Sequence, residues 1–258
     1  MNHARLIHLI AHRGNACEFP ENTVPAFESA LSLGLRFLEL DVHISADGVP
    51  IVIHDHDLTR TTGRPGSVFD LRARELRNID ACEPERFGER FRGTRIPMLT
   101  DVLALLEHRP EVTLFVEIKR ASLTRFGYDQ VVSRVIKALQ DMRGQCVVIS
   151  FDLAAIHRAR QMGGVPIGWV LSSYDTHTRL KFEALQPEFL FVDHEKLPAA
   201  GALWRGPWRW AVYEVETLGL AQSLAGRGAD YIETMAVQAM SEAMRRLHQP
   251  QREPRPLV

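Results

Sequence analysis

Short apolar runs recur along the chain between segments that have helical spacing and caps. The runs cover residues 6–11, 37–44, 50–54, 113–119, 146–151, 166–171, 189–193, 209–215 and 230–233. Thr23, ahead of Val24-Pro25-Ala26-Phe27, starts one helix and Gly34 ends it. Thr100 starts another over 101–108 that stops before Pro110. Strands alternating with helices in this way indicate a parallel sheet covered by helices.

Nine runs are one more than a (β/α)8 TIM barrel holds. The second and third are separated only by residues 45–49, too few for a parallel crossover, so this connection is a hairpin. Asp47-Gly48 is a strong two-residue turn signal. The run at 50–54 is therefore an antiparallel β-hairpin arm folded back on the second strand, and eight strands remain for the barrel. A two-residue turn also sets His54 directly opposite Asp41. From about 57 to 97 the alternation stops, and Arg, Gly and Glu dominate, which predicts a small inserted subdomain. The expected organisation is one barrel domain over 1–248, with a Pro- and Arg-rich disordered tail at 249–258.

The length of 258 residues suits one such barrel. A net charge of −1 leaves no electrostatic footprint for nucleic acid, so any bound anion must be held by a local site. Cys17, Cys82 and Cys146 lie far apart with no C-x-x-C spacing, as expected of reduced thiols. The first residues lack a signal-peptide apolar stretch, and no run approaches the roughly 18 apolar residues of a membrane span. A soluble, cytoplasmic protein without stable membrane insertion is expected.

Polar residues at strand ends break the apolar pattern. The first strand closes with His12-Arg13-Gly14; the second carries Glu39, Asp41 and His43 on one face; the fourth run ends Glu117-Ile118-Lys119. At the C-terminal mouth of a barrel these groups converge. Glu39, Asp41 and Glu117 make an all-oxygen set suited to a divalent metal, Mg²⁺ or Ca²⁺. The same carboxylates also suit a structural ion-pair network with Arg13 and Lys119. His12 and His54, reaching one carboxylate cluster, form a candidate general acid and base.

His12-Arg13-Gly14, Pro20-Glu21-Asn22-Thr23, Glu39-x-Asp41-Val42, Asp47-Gly48, His54-Asp55, Arg60-Thr61-Thr62, Ile96-Pro97 and Glu117-Ile118-Lys119 follow one another in order. With Ser150-Phe151-Asp152 they resemble the glycerophosphodiester phosphodiesterase family, most densely over residues 10–120. The resemblance implies a TIM barrel with a small insertion, and metal-dependent cleavage of a small-molecule glycerophosphodiester to glycerol 3-phosphate and an alcohol. It implies Glu39, Asp41 and Glu117 as metal ligands, His12 and His54 as the acid–base pair, and Arg13 and Lys119 as phosphate contacts.

Toward the C-terminus the likeness fades. Tyr213-Glu214-Val215-Glu216 stands where the family usually has a Trp-Thr-Val-Asn-like stretch, and Thr234-Met235 where it has Thr-Asp. One reading of Glu214 and Glu216 is a preference for a cationic alcohol such as choline or ethanolamine; the other is a pair of solvated loop carboxylates. Two rival functions differ in testable features. A phospholipase D-like enzyme acting on lysophospholipids would need an apolar lip, for which Trp204, Trp208 and Trp210 are the candidates. A catalytically silent barrel would have lost a metal ligand or a histidine, and every such position here is filled.

Overall fold

Apolar and polar side chains alternate through the second strand of the computed structural model, which describes residues 7–248. Leu38, Leu40, Val42 and Ile44 pack outward in the main core, while Glu39 and Asp41 converge inside the barrel. Burying each such aliphatic side chain contributes roughly 1.5–3 kcal/mol, which holds the alternation in register.

The strands are β1 (His8–His12), β2 (Phe37–Ile44), β3 (Pro50–Val52), β4 (Thr113–Ile118), β5 (Cys146–Ser150), β6 (Ile167–Val170), β7 (Phe189–Asp193), β8 (Arg209–Tyr213) and β9 (Tyr231–Thr234). All but β3 run parallel, and β1 pairs with both β9 and β2, closing an eight-stranded TIM barrel. The helices are α1 (Val24–Ser32), α2 (Thr59–Thr62), α3 (Ala73–Leu76), α4 (Pro84–Phe87), α5 (Leu99–Ala104), α6 (Arg120–Phe126), α7 (Tyr128–Ala138), α8 (Leu153–Gly163), α9 (Thr176–Leu185), α10 (Leu218–Arg227) and α11 (Val237–His248). Inside the barrel, Ile10, Phe115, Val147, Ile149, Phe191 and Tyr231 pack together, and Ile149 and Phe191 also line the cavity at the polar mouth.

The arm pairs antiparallel with β2 as predicted, but one residue out of the predicted register. Val42 faces Val52 and Ile44 faces Pro50. Ser45 N donates to Val49 O at 3.0 Å, so the loop is Ala46-Asp47-Gly48, with Gly48 left-handed at φ 81. Asp47 is drawn into other contacts: its carboxylate accepts from Ser45 Oγ (2.7 Å) and from Ala73 N (2.9 Å) in the insertion. Asp41 therefore lies across from Ile53, whose N–H donates to Asp41 O at 3.1 Å, and not from His54. His54 enters the mouth after the arm has left the ladder.

β1 and the arm share one edge of β2. β1 pairs along residues 37–39 and β3 along 42–44. The insertion consists of α2, a 3-10 turn (Val68–Asp70), α3 and α4, and it packs on the arm through a separate core containing Ile51, Ile53, Leu58, Val68, Leu76 and Ile96.

Two local expectations change. Thr23 precedes α1, but its hydroxyl donates to Pro20 O at 2.6 Å and does not cap the helix. α5 begins at Leu99 and not after Thr100, because Asp101 accepts from Met98 N at 2.9 Å and fixes the first turn there. Trp208 and Trp210 are buried; both indole N–H groups donate to Trp204 O, at 3.2 and 2.8 Å, and Trp204 stacks on Tyr174 at 3.7 Å. This is core packing against α9, not an apolar lip. The predicted tail at 249–258 lies outside the described residues.

Candidate active site

The chain leaves β1 through two consecutive left-handed residues, Arg13 (φ 58) and Gly14 (φ 85). A Cβ on Gly14 would meet the Ala26 backbone at 2.8 Å, so only glycine fits there. The turn aims Arg13 N at Glu39, donating to its carbonyl (3.1 Å) and its Oε2 (3.2 Å). The Arg13 guanidinium reaches Glu21 Oε1 at 3.1 Å and lies 3.2 Å from Asp41 Oδ2.

Register places Asp41 beside Glu117 on the neighbouring strand, and one carboxylate oxygen from each of Glu39, Asp41 and Glu117 lies within 4.8 Å of the others. Lys119 Nζ bridges two of them, 3.1 Å from both Asp41 Oδ1 and Glu117 Oε1. Asn22 grips Asp41 twice: its Nδ2 donates to Asp41 Oδ2 at 2.8 Å, and its Oδ1 accepts from Asp41 N at 3.2 Å.

Burial and neighbouring carboxylates push Glu39 and Glu233 well above the usual carboxylate range, and burial raises Glu117 to about 7. Burial also acts to raise Asp41, but Lys119 and Arg13 outweigh it and hold Asp41 ionised. Four buried carboxylates thus face two cations, one of which, Arg13, also serves Glu21. A hard divalent cation among these oxygens restores the balance, so the donor set fits Mg²⁺ or Ca²⁺. His12, Glu39 and Glu233 form a second ligand-like group that shares Glu39.

The two predicted histidines flank this cluster differently. His54 is partly exposed, and its Nδ1 lies 2.7 Å from Asp55 Oδ1. Asp55 Oδ2 accepts from Arg60 Nε at 2.6 Å, and Arg60 reaches Glu21 at 3.0 and 2.7 Å, linking His54 to Arg13. His12 is buried, with Nε2 3.9 Å from Glu39 and 4.0 Å from Glu233. Burial, reinforced by Arg13, pushes His12 down to about 3, so the ring is neutral near pH 7.

His43 shares the inward face of β2 but serves as a brace. Ser122 Oγ accepts from Ile44 N at 3.1 Å and donates to His43 Nδ1 at 2.8 Å, leaving the Nε2 proton to be donated to His54 O at 3.0 Å. Burial holds His43 down to about 4.

Two cavities meet at the cluster. One of about 190 Å³ runs toward the barrel axis past His12, Phe191, Tyr213, Glu214 and Glu233. The other, about 560 Å³, opens sideways past His43, His56, Arg120 and Ser172. His54, Glu117, Lys119 and Phe151 line both, so a group held there has a compartment on either side.

A model of the glycerophosphoryl diester phosphodiesterase family matches residues 12–201. The chain belongs to this family. Among curated relatives, the glycerophosphodiester phosphodiesterase of Caldanaerobacter subterraneus subsp. tengcongensis is 35% identical over 156 residues, 60% of this chain and 62% of the relative. That of Bacillus altitudinis is 37% identical over 153 residues, 58% of this chain and 61% of the relative. The chain spans about three-fifths of the length of these curated relatives. Among solved structures, an Oleispira antarctica phosphodiesterase in complex with the product sn-glycerol-3-phosphate superposes with a TM-score of 0.80 at 23% identity, over 93% of this chain and 97% of that one. The glycerophosphodiester phosphodiesterase of Thermotoga maritima gives 0.71 at 20% identity, over 93% and 100%. These likenesses carry the barrel fold.

For a member of the glycerophosphoryl diester phosphodiesterase family, the sequence pattern left several site residues without a role. Glu21, Asn22 and Asp55 sit in the stretches that carry the resemblance, yet only their contacts with Arg13, Asp41 and His54 reveal what they do. Glu233 had a legible signal: a charge in an otherwise apolar strand.

Proposed function

We propose that this chain hydrolyses glycerophosphodiesters to glycerol 3-phosphate and an alcohol. In this reading Glu39, Asp41 and Glu117 hold a divalent cation, Mg²⁺ or Ca²⁺. The bound cation would supply Lewis-acid stabilisation of the phosphate oxygens. Arg13 suits the phosphate with a two-pronged donor and Lys119 with a point charge, and both oppose the charge that builds as the incoming oxygen bonds to phosphorus. One of His12 and His54 takes the proton of the attacking hydroxyl, either from water directly or from the neighbouring glycerol hydroxyl, which forms a cyclic phosphate that water then opens. The other gives a proton to the departing alkoxide as the P–O bond breaks. Each transfer contributes about 10²–10⁴-fold.

The observation that carries the reading is the convergence of two histidines, an arginine and a lysine on one buried carboxylate cluster where two cavities meet. Family membership and the glycerol-3-phosphate complex of the Oleispira antarctica phosphodiesterase support it. The absence of a tryptophan lip removes the feature that favoured a lysophospholipid substrate. Of the two carboxylates considered for head-group choice, Glu214 lines the inner cavity. Glu216 is exposed and is not among that cavity's lining residues. No described helix is long and apolar enough to cross a membrane, and a cytoplasmic location is part of the proposal.

The test is release of glycerol 3-phosphate from glycerophosphocholine and glycerophosphoethanolamine, with EDTA and with added Mg²⁺ or Ca²⁺. Metal-dependent release supports the reading. Head-group alcohol released only from lysophospholipids moves the substrate, and no cleavage of any diester overturns the activity.

A further inference from the structure

We infer that Glu214 orients His12, accepting the Nδ1 proton so that Nε2 faces the reacting phosphate; this rests on the acid–base roles proposed above. His12 is only 8% exposed, and its Nδ1 is buried without a hydrogen-bond partner. A buried imidazole nitrogen left unmatched in this way calls for a partner.

The groups around the ring divide by side. Glu39 and Glu233 face Nε2, with Arg13, Lys119, Asp41 and His54 near enough to act electrostatically. On the other side, Glu214 Oε1 lies 3.9 Å from Nδ1. The Glu214 carboxylate accepts no hydrogen bond among the described residues, and its side chain is 46% exposed and able to move. Closing about 1 Å makes the bond, and catalytic hydrogen bonds that are long in a free enzyme commonly tighten around substrate.

The backbone is built for this placement. Tyr213 and Glu214 are consecutive yet both line the inner cavity, which strand alternation forbids. Glu214 achieves it by taking the left-handed conformation (φ 59) directly after β8, a conformation uncommon for glutamate. Strain held at such a position is typical of functional sites. His54 shows the completed arrangement: its Nδ1 rests 2.7 Å from Asp55, which frees Nε2. With Glu214 closed, both histidines become carboxylate–imidazole pairs with Nδ1 fixed, so that Nε2 of each faces the phosphate, bare in the base and protonated in the acid.

The experiment compares Glu214→Ala and Glu214→Gln with the wild type on glycerophosphocholine and glycerophosphoglycerol. The alanine variant should lose about 10²-fold in kcat on both substrates with KM within about twofold, and glutamine, which keeps an acceptor oxygen, should recover part of the loss. Unchanged kcat, or a loss confined to KM for the choline diester, overturns the inference; the second result makes Glu214 a head-group contact. A second readout does not depend on turnover. With Mg²⁺ and glycerol 3-phosphate present, the ¹⁵N signals of His12 should report a proton on Nδ1 in the wild type and a tautomer mixture in Glu214→Ala. Identical spectra overturn the inference even if the protein cleaves no diester, whereas lack of turnover with altered spectra overturns only the proposed activity.

Discussion

Arg60 Nη2 lies 2.7 Å from Glu21 Oε1, and through this pair the insertion grips the barrel loop that carries Arg13. The same guanidinium holds Asp55, the partner of His54, so one side chain registers both flanks of the cluster. Glu83 adds a second tie by accepting from Glu21 N at 2.5 Å.

Removing that shared guanidinium should therefore disturb chemistry more than folding, since Arg60 is partly exposed. Arg60→Ala is expected to lower kcat on glycerophosphocholine by about 10²-fold, the scale of a 1 Å misplacement. Steady-state kinetics beside a thermal melt would check this, and an unchanged kcat would show that Asp55 and Glu21 hold their places unaided.

The two histidines are expected to be indispensable. His12→Ala and His54→Ala should each reduce turnover by about 10²–10⁴-fold or more while circular dichroism stays native. Near-wild-type activity in either variant would remove that residue from the acid–base pair.

Divalent cation should bind the folded state through the carboxylates and raise the melting temperature. At about 100 times Kd the gain is about 2.7 kcal/mol. For a chain of this size that corresponds to a rise of about 5–10 °C. EDTA should reverse the shift, and Glu117→Gln should abolish it. A shift of the same size in Glu117→Gln would place the cation elsewhere.

Cys146, at the start of β5, carries no hydrogen-bonding duty that titration would alter. Burial pushes its thiol up to about 12 from 9.0. Because the folded-state value is raised, the unfolded chain loses this proton first. The stabilisation is complete below pH 9 and declines as pH climbs from 9 toward 12, by at most about 1.4 kcal/mol per unit. Urea titrations at pH 8 and pH 10.5 should show a shallower decline in Cys146→Ala than in the wild type. Equal declines would show the thiol titrating freely.

Strand boundaries and the barrel count could be read from the chain because β2, β4 and β5 each present long apolar faces between caps. Glu39, Asp41 and Glu117 could be read for the opposite reason: charges in such strands are costly unless a site uses them. The hairpin register could not, because Asp47 turns its carboxylate to Ala73 N, a contact 26 residues away that no local turn rule contains. His43 looked like Glu39 and Asp41 by spacing, and only Ser122 and the His54 carbonyl distinguish it as a brace. Glu214 owes its position to a left-handed turn after β8, in a residue type for which that conformation is rarely anticipated.

The edge of β2 that passes from β1 to the arm acts as a depth gauge. β1 cannot climb past Glu39 because the arm already occupies the next rungs, so His12 is stopped at a fixed height and Arg13 must turn inward there. Trimming or lengthening the hairpin would reset two heights together, that of His12 through the vacated edge and that of His54 through the arm itself. The spacing between the two imidazoles is thus written into the length of one short loop.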